Sequence, residues 1–260
     1  MGEEGDETGF GRGDRIQSIE RGFAVLLAFD AERRNPSLIE VATATGLSRP
    51  AVRRILLTLQ HLGYVEPTGG SHWRLTPRVL TIGQHFSTSS AVITVAEPHM
   101  IRLVEQTGES ASLSALDGNE VVYLSRVPAN RVLSVMATAG TRVPAHPTSM
   151  GRVLLAAAPP AFVERYLVDP GLTALTPHTI TDPDRFREAL EKVRRQGWAL
   201  VAEERERGLI AASAPIRDRK GEVVAALSTS SSTGRMSPEH VAEYVIPVLT
   251  KVARDISADL

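Results

Sequence analysis

Three arginines and one capped turn carry most of the chemistry this sequence offers. Between Ser48 and Leu62, the residues Val52, Ile55, Leu56, Leu59 and Leu62 fall on one stripe of a 100° helical wheel, with Pro50, Arg53, Arg54 and Thr58 opposite and Arg49 at the N-terminal end. A planar guanidinium can reach O6 and N7 of guanine together, which discriminates by roughly 1–3 kcal/mol per good pair. A helix that enters a major groove presents its N-terminal residues to base edges. Ala51 stands close enough along such a helix to meet a thymine methyl, and Ser48 leaves backbone N–H groups free for a phosphate. Arg74 and His72 follow in a hairpin pattern that would lie near the nucleic-acid backbone or the minor groove. From the arginines alone, an amphipathic helix with a solvated polar face explains the pattern equally well.

The second feature is Thr148-Ser149-Met150-Gly151, which opens a helix after a loop carrying Pro144 and Pro147. Exposed N–H groups at a helix start carry partial positive charge and suit a carboxylate. Glycine allows close approach, and Thr148 and Ser149 can add hydroxyl donors. Taken alone the pattern is also an ordinary helix cap. Arg142 and His146 come just before it, and either could pair with a carboxylate or a phenol. Tyr123, Met136 and Trp198 could form a flat apolar wall but read as core. Catalysis finds no support. The seven histidines (His61, His72, His85, His99, His146, His178, His240) show no H-x-x-x-H or H-E-x-x-H spacing, and there is no cysteine. No G-x-S-x-G or phosphate loop occurs, and Glu203-Glu204-Arg205-Glu206-Arg207 reads as a solvated charged loop. No catalytic residue, metal ligand or cofactor is assigned.

The elements that must position these residues follow from composition and pattern. With 260 residues, 42% apolar and 23% charged, the chain has room for one large or two modest globular domains, which excludes a disordered or coiled-coil-only protein. No apolar run reaches the ~18 residues of a membrane span. The acidic, glycine-rich start resembles no leader peptide, so a soluble cytoplasmic protein with no membrane partner is expected. Charge is uneven: residues 1–11 carry −4, residues 12–90 carry +4 and the remainder −1. A basic N-terminal third beside a neutral remainder points to a nucleic-acid partner for that part alone.

Residues 1–13 read as a disordered tail. Helices are expected over 16–29, 38–45 and 48–62, then a two-stranded hairpin over 64–75, the order of a winged helix-turn-helix. Thr76-Pro77 starts another helix towards Ser87, and Ser87-Thr88-Ser89-Ser90 reads as a linker. Beyond it come a helix over 98–107 and strands over 110–116, 121–127 and 131–138. Helices follow over 150–158, 161–167 and 183–196, and strands over 198–202, 211–216 and 223–229. A C-terminal helix from Ser237-Pro238, kinked at Pro247, completes an α+β domain on an antiparallel sheet. The domain boundaries are 14–76, 77–90 and 91–260.

Ordered blocks then bring in a family. Ser18-Ile19-Glu20-Arg21-Gly22, Val41-Ala42, Gly46-Leu47-Ser48-Arg49 and Leu62-Gly63-Tyr64-Val65 resemble the N-terminal domain of IclR-type bacterial transcriptional regulators. Gly108-Glu109-Ser110, Leu116 to Tyr123, Gly140 to Pro144, Thr148 to Ala156 and Glu203-Glu204 are similar to the effector domain of the same family. The stretch Pro144 to Arg152 looks most like the branch that answers to protocatechuate, β-ketoadipate or 4-hydroxybenzoate. The resemblance implies a winged helix-turn-helix, a linker helix and a GAF-like effector domain in a homodimer or dimer of dimers. It implies double-stranded operator DNA read by Ser48, Arg49, Pro50, Ala51, Arg53, Arg54 and Arg74. It also implies a small carboxylate effector at Thr148, Ser149, Met150 and Gly151, with Arg142 and His146 beside it and Val132, Val135, Val143, Leu209 and Ala211 closing the pocket. Where some relatives place an acid or a hydrogen-bonding residue, this sequence has Val201, Ala202 and Ala211. At this point a small-molecule-binding or hydrolytic protein whose N-terminal domain only dimerises stays open, as does a DNA-binding protein without an effector.

Overall fold

The computed structural model describes residues 15–30, 32–129 and 137–260. The tail expected over 1–13 and most of the strand expected over 131–138 lie outside them, as do Val132, Val135 and Met136. The chain divides into two compact units between Phe86 and Ser87.

In the first unit α1 (Gln17–Leu27), α2 (Leu38–Thr45) and α3 (Arg49–His61) precede a hairpin of β1 (Val65–Gly69) and β2 (His72–Leu75). Ser37 starts α2 through a reciprocal cap. Its hydroxyl accepts from the Glu40 N–H at 3.3 Å, and the Glu40 carboxylate accepts from the Ser37 N–H at 2.7 Å. Gly46 ends α2 with φ +68°, a conformation that costs glycine nothing. Ser48 caps α3 by accepting from the Ala51 N–H at 3.4 Å, and Pro50 sits in the first turn, where its missing N–H has no helical partner to lose. Val25, Val41, Val52, Leu56, Leu59, Val65 and Trp73 are buried together beneath these elements. Three helices closed by an antiparallel hairpin form a winged helix-turn-helix.

Thr76 caps a short 3-10 turn (Pro77–Val79) that leads into α4 (Leu80–Ser89). The expected linker over Ser87–Ser90 is therefore helical as far as Ser89. Serine and threonine lower helix propensity by only about 0.5 kcal/mol each, too little to end a helix that neighbouring residues favour.

The second unit opens with α5 (Ala91–Thr107), seven residues earlier than expected, with Pro98 inside it. An internal proline removes one helical hydrogen bond, here the one to the Thr94 carbonyl. A six-stranded antiparallel sheet follows, in the order β5 (Arg142–Pro144), β4 (Glu120–Val127), β3 (Ser110–Asp117), β8 (Val223–Ser232), β7 (Leu209–Arg217), β6 (Ala199–Ala202). Side chains alternate between its faces. Ala111, Leu113, Ile210, Ala212, Ala214, Ile216 and Leu227 pack on one face with α5 and α10 (Ile246–Asp259). The other face receives α6 (Ser149–Ala157) and α8 (Pro183–Gln196), with α7 (Pro160–Val168) joining the same core. Between α9 (Pro238–His240) and α10 the helix widens into a π turn over Val241–Val245. The turn lies directly upstream of Pro247, which has no N–H to return to the preceding turn. No described helix is long and apolar enough to cross a membrane.

Candidate functional site

Two helix beginnings gather the residues singled out above. In the first unit, Arg49, Arg53 and Arg54 are exposed, while Val52, Leu56 and Leu59 on the same helix are buried. None of the three guanidiniums has an ion-pair partner among the described residues. Arg49, Pro50 and Arg53 share the outward face. Arg54 stands at the lip of a groove of about 650 Å3 between α1 and α3, which Ala51 and Ile82 also line. Arg74 differs: its Nε donates to the Glu66 carboxylate at 2.6 Å across the hairpin, so part of its charge is already matched. The groove continues an apolar surface, with Ile19, Phe23, Leu27, Leu80, Ile82 and Phe86 all more than half exposed.

In the second unit, Thr148 caps α6, its hydroxyl accepting from the Gly151 N–H at 3.0 Å. Every residue of α6 from Ser149 to Ala156 is buried. The face of the sheet beneath it is lined with small hydroxyls in two rows. Register places Ser112, Ser228 and Ser213 side by side across β3, β8 and β7, and Ser110, Ser230 and Ala211 in the next row. Ser149 and Ser213 hydroxyls lie 2.8 Å apart, joining helix to floor. Thr148, Ser149, Met150, Leu209 and Ala211 meet Tyr123, Val201, Ser112, Ser228 and Ser230 around a cavity of about 40 Å3. Pockets that hold small organic ligands measure roughly 300 Å3 or more, so this space is too small for an aromatic ring.

Glu203, Glu204 and Arg205 also line the cavity, and the turn that carries them is built rather than loose. Glu203 holds φ +60°, rare for a residue with a side chain. Its N–H donates to the Leu209 carbonyl at 2.7 Å, and its carboxylate accepts from the Gly208 N–H at 2.8 Å. Glu204 is buried. It accepts from Arg152 Nη2 at 2.5 Å and from the Ile180 N–H at 3.2 Å, while Arg152 Nε donates to the His146 carbonyl at 3.3 Å. Burial pushes the Arg152 guanidinium below its ordinary pKa against the pull of Glu204. The expectation of a solvated charged loop is corrected here: one acid of the run anchors α6 to the sheet.

Four residues assigned to the effector stand away from the cavity. Arg142 lies at the surface, where its Nε donates to Glu120 at 2.7 Å and its Nη1 to Asp117 at 2.6 Å. Those two partners hold its pKa above the usual guanidinium value and neutralise the charge an effector would need. His146 is buried. Its Nε2 lies 2.9 Å from the Thr173 carbonyl, which only accepts, so Nε2 carries the proton and Nδ1 accepts from the Tyr166 hydroxyl at 3.2 Å. Burial lowers its pKa, the Thr173 carbonyl opposing and the Arg152 charge adding to the effect. Val143 packs in the core. At Gly151, an added Cβ would come within 1.9 Å of the Ala145 carbonyl oxygen, so the glycine seats α6 on the preceding loop.

The residues that reading from sequence overlooked are Ser112, Ser228, Ser230, Glu203, Glu204 and Arg205. A signal existed in the alternation Ser110-x-Ser112-x-Ser114, hydroxyls at period two in an otherwise apolar strand, and in the unbroken hydroxyl run from Ser228 to Ser232. No cluster of three or more potential metal ligands occurs among the described residues.

Comparison with known proteins agrees with this division. Residues 18–69 match the IclR helix-turn-helix domain and residues 84–258 the bacterial transcriptional regulator IclR C-terminal domain. The chain is 36% identical over 248 residues to the Pca regulon regulatory protein of Pseudomonas putida, covering 95% of this chain and 85% of that protein. It is 37% identical over 248 residues to the p-hydroxybenzoate hydroxylase transcriptional activator of Acinetobacter baylyi, covering 94% and 91%. An IclR homolog from Microbacterium hydrocarbonoxydans, solved in complex with 4-hydroxybenzoate, superposes with a TM-score of 0.82 at 28% identity, covering 94% and 98% of the two chains.

Proposed function

The chain belongs to the IclR family of bacterial transcriptional regulators, and from that premise we propose that it controls genes of aromatic-acid catabolism in response to a small carboxylate. The family consists of DNA-binding regulators rather than enzymes, and the helix-turn-helix domain makes DNA its partner. In this reading residues 14–76 bind DNA, 77–90 form a linker helix and 91–260 take the effector. Arg49 and Arg53 read base edges from the outward face of α3, Ser48, Pro50 and Ala51 pack at the groove, and Arg54 and Arg74 clamp phosphates. The apolar groove and the exposed residues of α1 and α4 pair with a second copy. A two-fold dimer then binds an inverted repeat with half-sites about one helical turn apart.

One observation carries the effector assignment: a wholly buried helix start opens on a cavity floored by serine hydroxyls. The free N–H groups of Ser149 and Met150 receive the carboxylate, and Ser112, Ser228, Ser230 and Tyr123 supply hydrogen bonds to the rest of the molecule. The relatives that regulate the Pca regulon and p-hydroxybenzoate hydroxylase, and the homolog holding 4-hydroxybenzoate, support an aromatic acid or its ring-cleavage product. Because pockets for such ligands measure roughly 300 Å3 or more, entry requires the walls to move. A ligand that binds only the opened form shifts the population towards it, which is the coupling a regulator needs.

Fluorescence anisotropy on the chain's own upstream intergenic DNA tests this, at two salt concentrations and with protocatechuate, 4-hydroxybenzoate or β-ketoadipate. Tight, salt-steep, sequence-selective binding that shifts with one acid is the expected result. Equal affinity for random DNA under every ligand would sink it.

A further inference from the structure

The Glu203–Gly208 turn holds a charge to which the carboxylate site gives no role. Arg205 lines the cavity, is half-buried, and has no hydrogen-bond or ion-pair partner among the described residues. Glu206 and Arg207 beside it are exposed and do not line the cavity, and the other charges close by are engaged. Glu204 pairs with Arg152. One oxygen of Glu203 accepts from the Gly208 N–H, and the other lies 3.8 Å from His178 Nε2. Arg142 is held outside by Asp117 and Glu120. Arg205 also follows a pinned corner, since Glu203 is fixed at φ +60° by bonds from its own N–H and its carboxylate.

A cation half-removed from water without a counter-ion is unfavourable, and it becomes favourable when an anion arrives. Resting on the reading of the cavity as a carboxylate site, we propose that Arg205 binds a second acidic group, so that the preferred effector is a dicarboxylate. One carboxylate sits at the start of α6 and the other forms a forked pair with the Arg205 guanidinium. A hydroxyl in place of the second carboxylate accepts one hydrogen bond from the guanidinium and brings neither the second bond of the fork nor an opposing charge, so it gains less. Arg205 therefore sets the choice between diacid and hydroxy acid, while the serine floor and α6 serve both.

Isothermal titration of the full-length protein with two matched pairs tests this: terephthalate against 4-hydroxybenzoate, and adipate against hexanoate. The wild type is expected to bind the diacid of at least one pair roughly tenfold more tightly than its monoacid. Arg205→Leu should reduce that preference to within about twofold with hexanoate affinity retained, and Arg205→Lys, which keeps the charge without the fork, should restore part of it. The side chain is half-exposed, so both variants are expected to melt with the wild type. A wild type that binds monoacids without favouring diacids overturns the role of Arg205 and leaves the cavity reading intact. An unchanged diacid preference in Arg205→Leu does the same. Failure of every acid to bind the wild type brings down both.

Discussion

The beginnings of α3 and α6 use the same local grammar and stand in opposite surroundings. Each follows a hydroxyl cap, Ser48 or Thr148, that accepts from the backbone N–H three residues on, at Ala51 or Gly151. At α3 the first two turns carry three exposed arginines with no ion-pair partner among the described residues. At α6 the first turn lies beneath a layer of protein and meets serine hydroxyls. A positive helix end in water attracts a polyanion weakly and at long range, and salt screens it. The same end out of water acts on a single carboxylate at close quarters, where screening hardly reaches. Since the caps are alike, burial is what would suit one helix start to a nucleic acid and the other to a small acid.

Substitutions can break this contrast. The largest effect is expected at the buried end. Arg152→Met leaves Glu204 buried without its cation and should lower stability by about 3–5 kcal/mol in urea unfolding, while Arg152→Met with Glu204→Leu should recover most of the loss. Arg54→Met on α3 should leave stability unchanged. Next comes the pair of matched positions. Gly151→Ala drives a methyl into the Ala145 backbone and should remove about 2–3 kcal/mol, whereas Ala51→Gly at the equivalent place should cost about 1 kcal/mol, through helix propensity alone. Equal losses at both positions would erase the contrast. Third, Arg53→Ala should weaken specific DNA binding roughly tenfold or more and relax the base preference at the position it reads, with the salt dependence and the melting temperature little moved. Unchanged affinity would remove Arg53 from the DNA surface.

The smallest effect sharpens the comparison through pH. His146 is buried neutral, so its pKa in the folded protein lies below the unfolded value near 6.5. Its contribution is fully present above about pH 6.5 and is lost as pH falls through the folded pKa, because the unfolded chain takes up the proton more readily. Stability of the second unit should therefore decline on acidification, and His146→Asn should make that decline shallower.

The division between legible and hidden features follows from the range of the forces involved. The bounds of α2 and α8 could be read from residues within four positions, because Ser37 with Glu40 and Asp182 with Gly197 are local caps. The outward arginines of α3 were equally legible, since helical periodicity alone separates them from Val52 and Leu56. Arg142 and His146 were misleading for the opposite reason. Their partners Asp117, Glu120, Tyr166 and Thr173 lie 20 to 27 residues away in the chain and meet them only once sheet and helices have packed. Arg205 was hidden inside a charged run whose members face different ways, Glu204 inward to Arg152 and Arg205 towards the cavity. The serine floor left a trace in the period-two serines of β3 and the hydroxyl run of β8, but only the register of β3, β8 and β7 makes it one surface.

The 40 Å3 cavity has a consequence in time. If an aromatic or dicarboxylic acid binds there, as proposed, the Glu203–Gly208 turn or its neighbours must open first, and association would be gated by the protein. At low effector concentration the observed rate rises with concentration, and at high concentration it levels off at the opening rate, on the microsecond-to-second scale of such motions. The apparent affinity is weaker than the intrinsic one by the fraction of molecules open at a given moment. Shaving a wall residue such as Met150 or Leu209 to alanine would speed the response while loosening its selectivity, so the tightness of this small space acts as a clock as well as a sieve.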